Sequence, residues 1–250
     1  MSFLEKIFSF KKKPVVESTD RPLYDFLNQI LGYYPQDMNV FKEAFTHRSA
    51  QKKDEKGNSI NFERLEFLGD ALLGASAAIH LYDKAPEQQE GYLTKMRSKI
   101  VSRKQLNSIS KELGLLDHLE PKNNHANLGE DVNGDLLEAL VGAIYLDRDI
   151  KAVETFISKR IIEPYADLDR LESTITSHKS LILEWSQKTR NTLRFNTFEE
   201  QNAEDLQVFV SVIRLNDKVI SKGRGTSKKK AEESASKRAY YTLQKKIEIK

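Results

Sequence analysis

Between Arg21 and Ile162 apolar residues recur at three- and four-residue intervals, the spacing of one face of an α-helix. The stretches "LYDFLNQILGYY", "NVFKEAFTHRSA", "INFERLEFLGDALLGASAAIHLYDK", "EGYLTKMRSKIVSRKQLNSISKELGL" and "GDLLEALVGAIYLDRDIKAVETFISKRI" all carry it. They are broken by "GYYPQD", "APEQQEG" and "EPKNNHANLGEDVNG", which are rich in Pro, Gly and Asn. Beyond Asn191 the period shortens to strict alternation in "LRFNTFEE", "LQVFVSVIRLN" and "KVISKGRGT", with "LND" as a hairpin turn. A helix capped by Ser177 precedes these strands, and another from about Ser227 follows them. The pattern predicts a multidomain α and α+β chain: a tail over 1–20, an all-α domain over 21–165, a linker over 166–176 and an α-β-β-β-α domain over 177–246.

Composition narrows the chemistry. In 250 residues, 39% hydrophobic and 31% charged, there is no cysteine, so disulfides, thiolate metal sites and cysteine nucleophiles are excluded. Any metal must be held by oxygen or imidazole. No apolar run is long enough to span a bilayer, and the opening "MSFLEKIFSFKKKP" has its lysines after its apolar residues, the reverse of a secretory signal. A cytoplasmic protein with no membrane partner is the expectation. The net charge of +3 conceals an asymmetry: residues 176–250 hold 16 Lys+Arg against 9 Asp+Glu, leaving 24 against 28 for residues 1–175. A basic C-terminal unit suits a polyanion, and an acidic unit that must meet the same polyanion needs local neutralisation.

That neutralisation has an obvious place. On a helical wheel Glu63, Glu66 and Asp70 of "NFERLEFLGD" fall within about 60° of one another, with Leu65, Leu68 and Leu72 on the opposite side. Like charges at this spacing repel by a few tenths of a kcal/mol each, so an ordinary solvated face would mix in lysines. A second acidic pair, Asp135 and Glu138, shares its face with Ala139 and Gly142, small enough to let another helix approach, while Leu137, Leu140 and Ile144 form the buried side. Carboxylates forced together raise one another's pKa or recruit cations. An all-oxygen set suits Mg²⁺, with Mn²⁺ as a substitute; a di-iron bundle would need Glu-x-x-His, which neither segment supplies. Taken singly, each acid reads as a solvated or helix-capping residue.

"NFERLEFLGDALL" is similar to the signature helix of the ribonuclease III family, "FTHRSA" to the segment before it and "GDLLEALVGAIYLD" to the family's second acidic motif. The resemblance runs from about Tyr24 to Ile162 and continues into a double-stranded-RNA-binding domain, the arrangement of the short bacterial form. It implies a Mg²⁺-dependent endonuclease for double-stranded RNA, with Glu66, Asp70, Asp135 and Glu138 as metal ligands and Glu63 and Glu90 as supporting acids. It further implies 5′-phosphate and 3′-hydroxyl products with short 3′ overhangs, from ribosomal-RNA precursors and other transcripts. Phe67, an aromatic on the charged side of its helix, matches a family residue at a two-fold interface, so a homodimer is expected. Phe62 stands where asparagine commonly precedes the first glutamate, and Ala71 replaces a usual serine.

In the second domain "GRGTSKKKAEESASKRA" resembles a contact region that sets Lys228 and Lys229 at a helix N-terminus against phosphates, with Lys230 less firmly placed. Glu184 matches an acid that reaches ribose hydroxyls. The loop Glu199 to Leu206 lacks the usual glycine-proline and histidine. Lys95, Arg97 and Lys99 read equally as phosphate partners or a solvated face, His47 as a neighbour of the signature helix, and the other histidines as packing or surface residues. The competing reading, a non-cleaving RNA-binding or ribosome-assembly factor, would have lost acids; here each expected position is filled.

Overall fold

The structure is a computed structural model that describes residues 17–121, 128–129, 131–175, 177–201 and 207–247. The chain parts into two compact units between Leu171 and Glu172. The first is helical: α1 (Arg21–Leu31), α2 (Met38–Ala44), α3 (Glu63–Lys84), α4 (Glu90–Ile100), α5 (Arg103–Leu113), α6 (Val132–Asp147), α7 (Ile150–Ile157), a π turn (Ser158–Ile162), α8 (Glu163–Tyr165) and α9 (Leu168–Ser173). Two of the long periodic stretches are each divided in two. Ser102 ends the first by accepting the Gln105 N–H at 3.3 Å as the cap of α5, and Asp149 ends the second by accepting the Ala152 N–H at 3.0 Å as the cap of α7. Side-chain caps compete with continuation of the helix, and hydrophobic period alone does not register them.

The centre of this unit is α6, buried nearly all round from Leu136 to Ile144, as expected of a helix apolar on every face. Against it lies α3, whose buried stripe is Leu65, Gly69, Leu73, Ala77 and Leu81. This corrects the wheel reading: Leu68 and Leu72 are only half-buried, and the core face is the i, i+4 row through Gly69. The two backbones touch where they cross. A Cβ on Gly69 would stand 1.7 Å from the carbonyl oxygen of Glu138, and one on Gly142 would stand 2.3 Å from that of Leu65. Only glycine fits at either position. The interval 166–176, read as a linker, contains α9, and Ala166 and Leu171 pack into the helical core.

The second unit is α10 (His178–Lys188), the antiparallel sheet β1 (Leu193–Gln201), β2 (Gln207–Leu215), β3 (Lys218–Gly225), and α11 (Lys228–Ile247). Ser177 caps α10 by accepting the Ser180 N–H. The β2–β3 hairpin turns at Asn216 and Asp217, both with positive φ (47° and 67°), matching the twist of the strands it joins. Ile182, Ile213, Ala235, Ala239 and Tyr240 form the core between helices and sheet. Residues 202–206, the distinctive part of the β1–β2 loop, and the tail over 1–16 lie outside the described residues.

Candidate active site

The glycine crossing decides what meets what. Glu66 is one turn before Gly69 on α3, and Glu138 supplies the carbonyl that Gly69 touches, so the close approach brings the two acidic segments face to face. One carboxylate oxygen from each of Glu66, Asp135 and Glu138 lies within 4.8 Å of the other two. They open into a cleft of about 670 Å³ whose walls also carry Glu63, Phe67, Asp70, Asp131, His47, Arg48 and Arg103. Asp70 thus belongs to the cleft but not to the three-oxygen cluster.

Burial and mutual repulsion show in the acidities. Glu138, 7% exposed, is pushed up to about 7, first by burial and then by the nearby charge of Asp70. Glu66 is raised by burial and by Asp135. Asp135 is raised by burial against the opposing pull of Arg103, whose guanidinium donates a hydrogen bond to its Oδ1. A carboxylate forced into a dry acidic cluster costs free energy unless a cation joins it. The donor set fits a hard divalent ion.

The other candidates separate clearly. Glu63 lines the cleft near the start of α3, 3.6 Å from Arg48, and its N–H is held by Asn61 Oδ1 at 3.0 Å. Phe62 is buried under the cleft with its ring 5.7 Å from that of His47; the cap that Phe62 cannot provide comes from Asn61. Glu90 is not brought into this cleft. It opens α4, where its carboxylate accepts the Thr94 hydroxyl at 2.8 Å and faces the positive end of the helix dipole. Lys99 is not a phosphate-facing residue: it is buried, and its Nζ donates to the carbonyl of Leu171 at 2.5 Å. Lys95 and Arg97 are exposed. Phe67 is 81% exposed, so among the described residues no contact within its own unit covers it. His47 is pushed below its ordinary range by burial and by Arg48, which keeps it neutral near pH 7.

Sequence reasoning missed Arg103, Arg48, Asp131 and Gly69. The available signal for Arg103 was "SRKQ", a Ser-x-x-Gln capping pattern that fixes a helix start and points the following arginine at whatever lies beside it.

In the second unit Lys228 and Lys229 are exposed in the first turn of α11, where Ser227 Oγ accepts the Lys230 N–H at 3.2 Å. Exposed lysines beside unpaired N–H groups form an anion-facing end. Glu184 is half-exposed on α10 and pairs with Lys188 at 3.0 Å.

Residues 37–165 match the ribonuclease-III-like family, and residues 178–243 match the double-stranded RNA binding motif. The chain belongs to the ribonuclease III family. It is 48% identical to Ribonuclease 3 of Flavobacterium psychrophilum over 250 residues, covering 100% of both chains. Against Ribonuclease 3 of Zunongwangia profunda it is 50% identical over 224 residues, covering 90% of this chain and 92% of the other. The crystallised nuclease domain of ribonuclease III from Campylobacter jejuni, described for flexibility in the region involved in dimer formation, superposes with a TM-score of 0.50 at 32% identity, covering 57% of this chain and 99% of that one. A ribonuclease-III-like unit joined to a double-stranded-RNA-binding unit makes the chain a double-stranded-RNA endoribonuclease, and the acidic cluster accords with the family's dependence on a divalent metal.

Proposed function

We propose that Glu66, Asp70, Asp135 and Glu138 hold catalytic Mg²⁺, for which Mn²⁺ substitutes, and that the chain thereby hydrolyses duplex RNA to 5′-phosphate and 3′-hydroxyl ends. The convergence of Glu66, Asp135 and Glu138 on one point of the cleft carries this reading. A bound divalent ion lowers the pKa of its water and offsets charge at the phosphodiester. The protein's own part is orientation. The crossing at Gly69 and Gly142 fixes the ligands on two rigid helices, so little reorganisation is needed on binding. Asp70, on the cleft wall, and Glu138 would hold the ion directly, while Glu63 lines the rim. Burial of Glu138 excludes bulk water from the inner side, where electrostatic interactions are strongest.

Phe67 leaves a large aromatic surface open to solvent on the wall of a polar cleft in a lone protomer. A two-fold dimer through Phe67 buries it and sets two clefts side by side, so that both strands are cut with short 3′ overhangs. Lys228, Lys229 and Glu184 hold the duplex by phosphates and ribose hydroxyls, reading shape rather than sequence. Residues 21–165 and 177–246 are then the nuclease and RNA-binding domains, with 166–176 between them. Ribosomal-RNA precursors and other structured transcripts in the cytoplasm are the substrates; among the described residues no helix is long and apolar enough to cross a membrane.

The test is incubation of a long RNA duplex with the chain, with and without Mg²⁺. Metal-dependent fragments with 5′-phosphate ends are expected. A duplex that is bound but stays intact under both conditions favours a binding protein that has lost the chemistry.

A further inference from the structure

Among the described residues six acids line the cleft: Glu63, Glu66, Asp70, Asp131, Asp135 and Glu138. The arginines facing them divide the work. Arg48 lies out at Glu63, 3.6 Å away, with its side chain 74% exposed. Arg103 reaches inward, and Nη1 bonds Oδ1 of Asp135, one of the three acids of the cluster. Its backbone is anchored as the first residue of α5 behind the Ser102 cap, while its side chain remains 50% exposed. A guanidinium is planar and monovalent; it can satisfy one carboxylate but cannot gather three around a point as a divalent ion does.

Building on the metal reading above, we propose that Arg103 is the resident counter-ion of the cleft: it occupies Asp135 in the metal-free chain and must yield that carboxylate when the divalent ion binds. Two consequences of opposite sign follow. Without Arg103 the acids of α3 and α6 repel one another with only the exposed Arg48 to oppose them, so the metal-free fold is weaker. Without Arg103 a divalent ion also meets no competitor at Asp135, so it binds more tightly. A residue that merely braces the cleft would lower stability and metal affinity together.

The experiment is a Mn²⁺ titration of the full chain without RNA, followed by electron paramagnetic resonance, on the unaltered protein, R103Q and R103K, with melting in EDTA alongside. R103Q is expected to bind Mn²⁺ on the order of fivefold more tightly while melting at a lower temperature without metal, since removing a nearby positive charge favours a divalent cation. R103K, which keeps the charge, is expected within about twofold of the unaltered chain. Equal or weaker Mn²⁺ binding by R103Q overturns the proposal and makes Arg103 an orienting partner of Asp135. Absence of Mn²⁺ binding in all three contradicts the metal reading itself, and the role of Arg103 with it.

Discussion

Glu138 stands near its own midpoint at pH 7, because burial and Asp70 raise it from 4.5 to about 7. Between those two pH values the folded chain retains a proton that the unfolded chain has released. Stability of the metal-free protein therefore declines as pH rises from about 4.5 to about 7 and is level above that. The gap amounts to at most about 3 kcal/mol at pH 8. Glu138→Gln removes it, so calorimetry in EDTA should show the variant melting several degrees higher at pH 8 and no higher near pH 4.5. The same substitution is expected to slow duplex cleavage by about a thousandfold, the several kcal/mol that a properly held metal supplies, while gel-shift binding of RNA persists. Because the metal must displace this proton, cleavage by the unaltered chain should fall as pH drops below about 7, and higher Mg²⁺ should move the profile toward acid. These acids were legible in the sequence as residue types at helical spacing. Their cation Arg103 was not, because an ion pair between α5 and α6 joins residues 32 apart that no local pattern relates.

At the scale of elements the site depends on how closely α3 and α6 cross. Gly69→Ala would place a methyl 1.7 Å from a backbone oxygen that has no side-chain freedom to withdraw. The helices must part, at a cost of about 1–3 kcal/mol, and Glu66 moves off Glu138. Urea unfolding should report that loss, and cleavage should fall without rescue by added metal; Gly142→Ala should act in the same direction. Full activity in both variants would separate the crossing from the chemistry. The sequence revealed Gly142 as a point of close approach, since it shares a face with Asp135, Glu138 and Ala139. It left Gly69 unread, because a glycine inside a leucine-rich signature gives no sign of which face it occupies until the partner helix is placed. The strands and the hairpin at Asn216 and Asp217 were plain from alternation and turn chemistry. The helix breaks at Ser102 and Asp149 were hidden in unbroken apolar period.

At the scale of the whole molecule, an 81% exposed Phe67 and a substrate with two strands argue for a two-fold assembly. Sedimentation at micromolar concentration should give a dimer, and Phe67→Glu a monomer that nicks duplex RNA poorly. Charge on α11 acts differently: Lys228→Glu with Lys229→Glu should weaken binding of all duplexes alike and flatten the dependence of affinity on salt by about two counter-ions. The proposed function requires that acids from α3 and α6 grip a divalent ion where RNA is cut. Anomalous diffraction from Mn²⁺-soaked crystals of the full chain tests it most directly. The expected result is a strong peak bounded by the carboxylates of Glu66, Asp135 and Glu138; strong peaks elsewhere with this cluster bare would contradict it.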